Sequence, residues 1–494
     1  MSTTDQPFEQ RLSSTDASFL YMETASGPMH ISSIYVLEGV LPFDTVFEHF
    51  AARIHLVPAY RRRLAQVPLN VAHPSWVDDP DFDLANHVLH HQLPEGSTLE
   101  QGIDAAVALN EPMLDRSRPL WQLYVISGVT DATLILQMTH HAMIDGVSGI
   151  ELTTILYDFD PRGSQPPPPR SEWHPAPVPT PMERFSRAIS ENLDRARHAR
   201  ASDLMSAGRA GSKLLGRAAR VIGQFLSRPV VTAPFNAGLV GPKRHLRYIK
   251  HSFAEIREIR RALGGTINDV VLAVVSEAVA RYLESHGERT EDQYMRIMCP
   301  VSVRTEDQAG ALGNQVSAIF PVLPAWPMTP TQRLAAVCLE TERIKKDEEA
   351  QALALVLNGG GALWPVAMAP TQLVGTPWDP TALLARVPGP VLPNLGWRPP
   401  NFGINFTCTN VPGVQVPQYL CGHKVTDTLG VLVLTGNIGF SVTILSYNQQ
   451  LFFNFICEPR LLPDLETIIN AAQDSFAELL GAARERAQAL AGQS

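Results

Sequence analysis

Five cysteines in 494 residues, Cys299, Cys338, Cys408, Cys421 and Cys457, are few, odd in number and widely spaced, and none forms a CxxC pair. That leaves neither a disulfide framework nor a thiolate zinc site to read, and no metal is expected. Basic charge is also short. The 40 Lys and Arg stand against 49 Asp and Glu, a formal net charge of -9, the wrong sign for a general nucleic-acid binder that must neutralise phosphate. No window offers 18 uninterrupted apolar residues, so no bilayer-spanning helix is expected. The start, Met1-Ser-Thr-Thr-Asp-Gln-Pro, lacks the basic residues and apolar stretch of a signal peptide. These absences leave a cytoplasmic globular chain, 45% hydrophobic and long enough for two or three domains, whose membrane contact is peripheral if it has any.

What is present centres on His140-His141-Ala142-Met143-Ile144-Asp145-Gly146, directly after the run Thr133-Leu-Ile-Leu-Gln-Met-Thr139. That run is too continuously apolar for a half-wet strand and too short for a helix, which predicts a buried strand with the histidines at its end. Strand alternation then points the two rings opposite ways. One can face a cavity as a base while the other packs inward, and Gly146 with Ser148-Gly149 permits a tight turn into the next helix. Histidine is the side chain whose ordinary pKa suits proton transfer near neutrality. A satisfied core histidine is the competing reading, and the Asp-Gly offset is what weighs against it.

Around this box the chain alternates helices and strands. Leu12-Ser-Ser-Thr-Asp16 reads as a capped helix start, Pro28-Met29-His30 to Leu37 as a strand with a structural His30, and 43–57 as a helix. Tyr60-Arg61-Arg62-Arg63-Leu64 is a solvated helix end or a clamp on an anion. A second pair, His90-His91, has no Asp-Gly after it and reads as exposed strand. Pro119-Leu120-Trp121 is packing chemistry before a strand that should lie beside the histidine strand. Residues 165–181 are a Pro-rich linker. After it, residues 184–228 hold ten Arg or Lys against three acids beside apolar residues at helical spacing, either an interfacial helix or a linker helix packed on the body. A second half begins near Arg247. Thr266 is an expected N-cap, and Asn268-Asp269 either line a site or belong to that cap. Residues 358–400, broken by Pro365, Pro370, Pro377, Pro388, Pro390 and Pro393, form a packed crossover or a lid. Strands over 431–434, 439–446 and 450–457 and an amphipathic helix through Leu465, Ile468, Ile469, Ala472, Phe476 and Leu480 close the chain. The divisions are 1–160, a helical linker 161–245, and 246–494.

HHxxxDG resembles the signature of the acyl-CoA-dependent acyltransferase superfamily. An ordered set of motifs narrows the resemblance to the bacterial wax ester synthase/diacylglycerol acyltransferase family over nearly the whole chain. They are Leu12-Ser-Ser-Thr-Asp16, Pro28-Met29-His30, Tyr60-Arg-Arg-Arg-Leu64, Pro119-Leu120-Trp121, the box itself, Asn268-Asp269, Pro300-Val-Ser-Val-Arg304, Gly313-Asn314, Asn410-Val-Pro-Gly413 and Ser446-Tyr447-Asn448. The chain departs from the family pattern at Val414, where a proline is usual, and at Gln449, where a glycine is usual.

The resemblance implies an α/β fold of two chloramphenicol-acetyltransferase-like mixed-sheet halves around a central tunnel, joined by a helical crossover. It implies that His141 is the base and that His140, Asp145 and Gly146 support it. Asp145 would be turned away, holding its loop through an arginine, Arg304 or one of Arg61 to Arg63. The activity implied is transfer of a long-chain acyl group from acyl-CoA, a substrate rather than a cofactor, to diacylglycerol or a fatty alcohol, at an anionic membrane or lipid-droplet surface. The competing hypotheses are a carrier-protein-dependent condensation enzyme and a non-catalytic lipid-binding or droplet protein.

Overall fold

The computed structural model describes residues 8–143, 155–169, 171–198, 230–302, 316–346 and 403–492. The first part of the chain supplies β1 (Gln10–Arg11), α1 (Ser14–Met22), β2 (His30–Glu38), α2 (Phe43–Arg53), β3 (Arg62–Ala65), β4 (Ser75–Asp78), β5 (Val88–Ser97), α3 (Leu99–Leu109), β6 (Trp121–Val129) and β7 (Ala132–His140). After the Pro-rich stretch, whose described residues form no helix or strand, comes α4 (Pro181–His198). The rest is β8 (His245–Ser252), α5 (Phe253–Leu263), α6 (Ile267–Ser285), β9 (Tyr294–Ser302), β10 (Val316–Ile319), β11 (Val322–Pro324), α7 (Pro330–Lys346), β12 (Phe406–Val411), β13 (Tyr419–Leu420), β14 (His423–Val431), β15 (Phe440–Tyr447), β16 (Gln450–Cys457) and α8 (Leu465–Ala491).

The histidine strand lies where its composition requires. β7 is interior to a six-stranded sheet of order β13-β14-β2-β7-β6-β5, antiparallel to β2 and β6, and buried from Thr133 to His140. A strand covered on both faces needs no polar alternation, which is why the run reads as continuous. The second sheet runs β10-β9-β12-β15-β16-β8, with β11 on β9, and β12 is parallel to both neighbours. Over it pack α5 to α8, and α6 is buried along its whole middle, from Asp269 to Ala280. Thr266 caps α6 as expected, accepting from the Asp269 amide at 3.2 Å. Both halves are therefore mixed α/β, each with its own large apolar core.

Sheet membership does not follow position along the chain. The strand expected at 431–434 is instead His423–Val431, and it pairs with β2 of the first sheet rather than joining the β15–β16 hairpin. A bulge between Val425 and Asp427 interrupts its register, and bulges re-aim side chains. Asp427 accepts from Lys250 Nζ at 2.8 Å and Tyr248 OH at 3.3 Å, both on β8, so this one strand is bonded to both sheets.

Two motifs that are separate in sequence hold the crossing in place. Gly413 N donates to Ser446 Oγ at 3.0 Å, Gln418 N donates to Tyr447 OH at 2.8 Å, and Tyr447 OH donates to Val425 O at 3.0 Å. Asn448 N donates to Val414 O at 2.9 Å. The β15–β16 turn places Asn448 and Gln449 at φ 45° and 62°, the left-handed region where glycine is the easy second residue. Gln449 offsets that strain with side-chain partners. Its Oε1 accepts from Arg257 at 3.0 Å, and its backbone N–H donates to Gln415 Oε1 at 3.3 Å.

Candidate active site

His140 and His141 leave the end of β7 in the opposite environments that alternation predicts: His140 has no exposed surface and His141 is half-buried. Both backbone amides are fixed by neighbouring motifs. His140 N donates to Leu120 O at 2.9 Å and His141 N donates to Met29 O at 2.8 Å. Leu120 is itself anchored by Trp121, which stacks between Tyr60 and His87 at 4.4 and 4.6 Å and donates Nε1 to Tyr60 O at 2.8 Å. Pro-Leu-Trp and Pro-Met-His are thus the two walls that set the histidine backbone.

The side chains follow from hydrogen-bond direction. Ala142 N donates to His140 Nδ1 at 3.0 Å, so the imidazole proton sits on Nε2, which faces Glu23 Oε1 at 3.4 Å. That is a long polar contact rather than a tight hydrogen bond. Glu23, with a fully buried side chain, also accepts from Met29 N at 2.9 Å and from Arg116 Nη2 at 2.9 Å. Burial alone would raise its carboxyl, but the contact with His140, the Met29 amide and the Arg116 charge outweigh burial and bring it down to about 2. His30 pairs across the sheet with His140 and donates Nε2 to Asn110 O at 2.7 Å. Burial brings its pKa down to about 4. The His141 ring lies flat on Phe19, centroids 4.5 Å apart and planes 10° apart. Burial first, and then the neighbouring His140 and His30, lower its pKa to about 3. At neutral pH His141 is an uncharged imidazole, able to accept a proton.

The other expected site residues divide. Asp145, Gly146 and Arg304 lie outside the described residues, as do 347–402 and Arg209, Lys213, Arg217 and Arg220. Asp269 serves the cap: its carboxylate accepts from Thr266 N at 2.7 Å, Thr266 Oγ1 at 2.8 Å and Thr341 Oγ1 at 2.8 Å, and it is buried. Its carboxylate is thus committed to the cap and to Thr341, the cap alternative expected for this motif. Asn268 is exposed at the start of α6 and accepts from Asn410 Nδ2, which joins this motif to the end of β12. The three arginines are covered or paired by the protein itself rather than forming a solvated helix end. Arg61 stacks over Trp173 at 4.4 Å, Arg62 lies over Phe8 at 3.8 Å and 3.7 Å from Asp78, and Arg63 pairs with Asp79 at 3.3 Å. His90 is exposed on its strand, stacked on Phe43. Among the described residues no three His, Cys, Asp or Glu come together to hold a metal ion.

Phe19, Glu23 and Arg116 are the members of this constellation that sequence reasoning missed. One signal exists for Glu23. It is the C-cap of α1, whose last turn carries no basic residue, and a carboxylate opposes the helix dipole there, so a tertiary use is implied.

Residues 12–271 match the wax ester synthase/diacylglycerol acyltransferase catalytic domain, and residues 312–480 match the WS/DGAT C-terminal domain. A Mycobacterium tuberculosis protein named as a probable diacylglycerol O-acyltransferase, tgs1, is 29% identical over 96% of each chain. Among solved structures, the wax ester synthase/diacylglycerol acyltransferase from Marinobacter aquaeolei superposes with a TM-score of 0.63 at 21% identity, covering 96% of this chain and 100% of that one. A starter condensation domain of rhizomide synthetase, in complex with C8-CoA and Leu-SNAC, superposes with a TM-score of 0.55 at 12% identity, covering 96% and 94%.

Proposed function

The chain belongs to the wax ester synthase/diacylglycerol acyltransferase family and is an acyltransferase, and from that premise we propose that it moves a long-chain acyl group from acyl-CoA to diacylglycerol or a long-chain alcohol with His141 as general base. The observation that carries the assignment is the contrast within the pair: His141 is neutral, half-buried and held by its backbone amide and the Phe19 face, whereas both ring nitrogens of His140 are committed inward. His141 removes the acceptor hydroxyl proton as the oxygen attacks the thioester carbonyl. The tetrahedral intermediate collapses, the carbon–sulfur bond breaks, and the imidazolium returns the proton to the departing CoA sulfur. No cofactor enters this scheme, because acyl-CoA supplies the activated group. The reacting centre is assigned to a tunnel between the two halves. The test is incorporation of radiolabelled acyl-CoA by purified protein, diacylglycerol against fatty alcohol, with His141→Ala as control. Both acceptors failing, or incorporation surviving that substitution, would sink the assignment as written.

Two poorly soluble substrates require a surface, and we place the enzyme on the cytoplasmic face of an anionic membrane or on lipid droplets. Among the described residues no single helix is long and apolar enough to span a bilayer. Support comes from α4, which is tied to the body on one side: Arg184 donates to Gln66 O at 3.2 Å and Asn192 to Val71 O at 3.1 Å, while Arg187 pairs with Glu9. Its other side carries Met182, Ile189 and Leu193, 70%, 36% and 50% exposed and spaced to share one helix face. Because Arg184 and Arg187 are used internally, the attracting charge is assigned to Arg209, Lys213, Arg217 and Arg220, each contributing about 1 kcal/mol near an anionic surface and screened by salt. Co-sedimentation with anionic vesicles is expected to fall at high salt and in the variant with all four neutralised. Unchanged binding in that variant would assign attachment elsewhere, with residues 358–400 next to be tested.

A further inference from the structure

We propose that Glu23 is the positioning residue of the histidine pair: one buried carboxylate fixes His141 from two sides while remaining outside the reaction. The inference rests on the assignment of His141 as base. The first route is through the ring. Glu23 Oε1 faces His140 Nε2 at 3.4 Å, and the opposite nitrogen of that ring accepts from Ala142 N at 3.0 Å, so residue 141 is bracketed between two residues joined through one imidazole. The second is through the backbone. The same Oε1 accepts from Met29 N at 2.9 Å, and the Met29 carbonyl accepts from His141's own amide at 2.8 Å. Arg116 holds the carboxylate in turn, with Nε and Nη2 at 3.2 and 2.9 Å from Oε2, and Nη2 also donates to Leu20 O at 2.6 Å. Every link except Arg116 is buried or backbone, so Glu23 has one orientation.

Nothing in α1 itself calls for a carboxylate at this place, since Glu23 stands at the end of the helix its charge disfavours. Among the described residues its negative charge is directed at His140 and Arg116, with His30 also within its field. With Glu23 in place, the His140 proton stays on Nε2 and Nδ1 remains an acceptor for Ala142. Without it, the tautomer is no longer fixed, the Ala142 amide loses its partner when the ring reverts, and the His141 backbone is released at Met29.

The experiment compares Glu23→Gln, Glu23→Ala and His141→Ala in the acyl-transfer assay, each with its melting temperature. A misplacement near 1 Å costs about 10²-fold in turnover, so Glu23→Ala is expected to lose about that much kcat with KM for acyl-CoA nearly unchanged. Glu23→Gln keeps the volume and the acceptor for Met29 N and is expected to recover about tenfold of that loss, against a similar thermal stability. Glu23→Gln combined with His140→Asn should cost no more than the worse single change, because both break the same chain. If Glu23→Ala fails to fold, Glu23→Gln decides: a folded protein with unchanged kcat overturns the proposal. So does a loss that tracks melting temperature across the variants, or one that appears in KM alone. His141→Ala keeps the two readings apart. An inactive His141→Ala beside a fully active Glu23→Gln removes Glu23 only, whereas an active His141→Ala removes the base assignment and this proposal with it.

Discussion

His141→Ala is expected to lose about 10²- to 10⁴-fold of turnover, the usual weight of a general base, with its melting temperature almost unchanged. The ring is half-buried and stacked on Phe19, so deleting it removes less buried surface than deleting the wholly buried His140. His140→Ala is expected to do the reverse in its first effect. His140 is wholly buried, with one nitrogen accepting from Ala142 N and the other facing Glu23. Its removal leaves a buried amide without an acceptor and a buried carboxylate without one of its partners, a loss of about 3–5 kcal/mol for breaking such an arrangement. Turnover would fall too, but as a consequence of lost structure. The measurement is kcat and melting temperature on both variants side by side. Equal losses of both quantities in the two proteins would contradict the separation of roles.

The difference between these two adjacent residues is legible in the sequence, because it follows from strand alternation at the end of an apolar run, a local property. The same holds for the Thr266 cap, for the packing role of Pro119-Leu120-Trp121, and for α8, whose buried residues Leu465, Ile468, Ile469, Ala472, Phe476 and Leu480 keep helical spacing. What is not legible depends on which distant segments meet. The crossing of β14 to β2 brings Thr428 opposite Tyr35, nearly four hundred positions away, and no period in either strand encodes the choice of partner sheet. Arg61 to Arg63 look solvated as a run of three charges, yet Trp173, Phe8, Asp78 and Asp79 arrive from elsewhere to cover or pair them. Gln449 sits at positive φ, and its tolerance there depends on Arg257 and Gln415, which sequence neighbours do not reveal. Glu23 belongs to the same class. Its helix-end position hints at a tertiary role, but the partners, Met29 excepted, lie 93 and 117 positions away at Arg116 and His140.

The site should also make the protein sensitive to acid in a window set by its histidines rather than its carboxylates. His30 and His141, lowered by burial to about 4 and about 3, bind protons in the unfolded chain near the ordinary value of 6.5 but resist them when folded. Between 6.5 and about 4 the unfolded state therefore holds more protons, and stability must fall as pH falls through that window. Above 6.5 both states are neutral at these positions and no dependence arises from them. For His30, a shift of this size corresponds to about 3 kcal/mol when complete, at about 1.4 kcal/mol for each pH unit. Glu23, lowered to about 2, acts in the same direction but lower, between its ordinary 4.5 and about 2. Melting temperature at fixed scan rate is thus expected to be level from pH 8 to 6.5 and to decline steadily toward pH 4. His30→Gln, which keeps a donor for Asn110 O, should reduce that decline, the remainder coming from His141 and from His251, which burial also lowers to about 4. Catalysis should respond later than stability. The base must be neutral, and with its pKa far below 6.5 the acid limb of kcat/KM is expected below pH 5.5, so the profile stays level between pH 8 and 5.5. An acid limb centred at 6.5 or above would show that substrate-free burial does not set the protonation of His141, and a flat melting curve from 6.5 to 4 would show the same for His30.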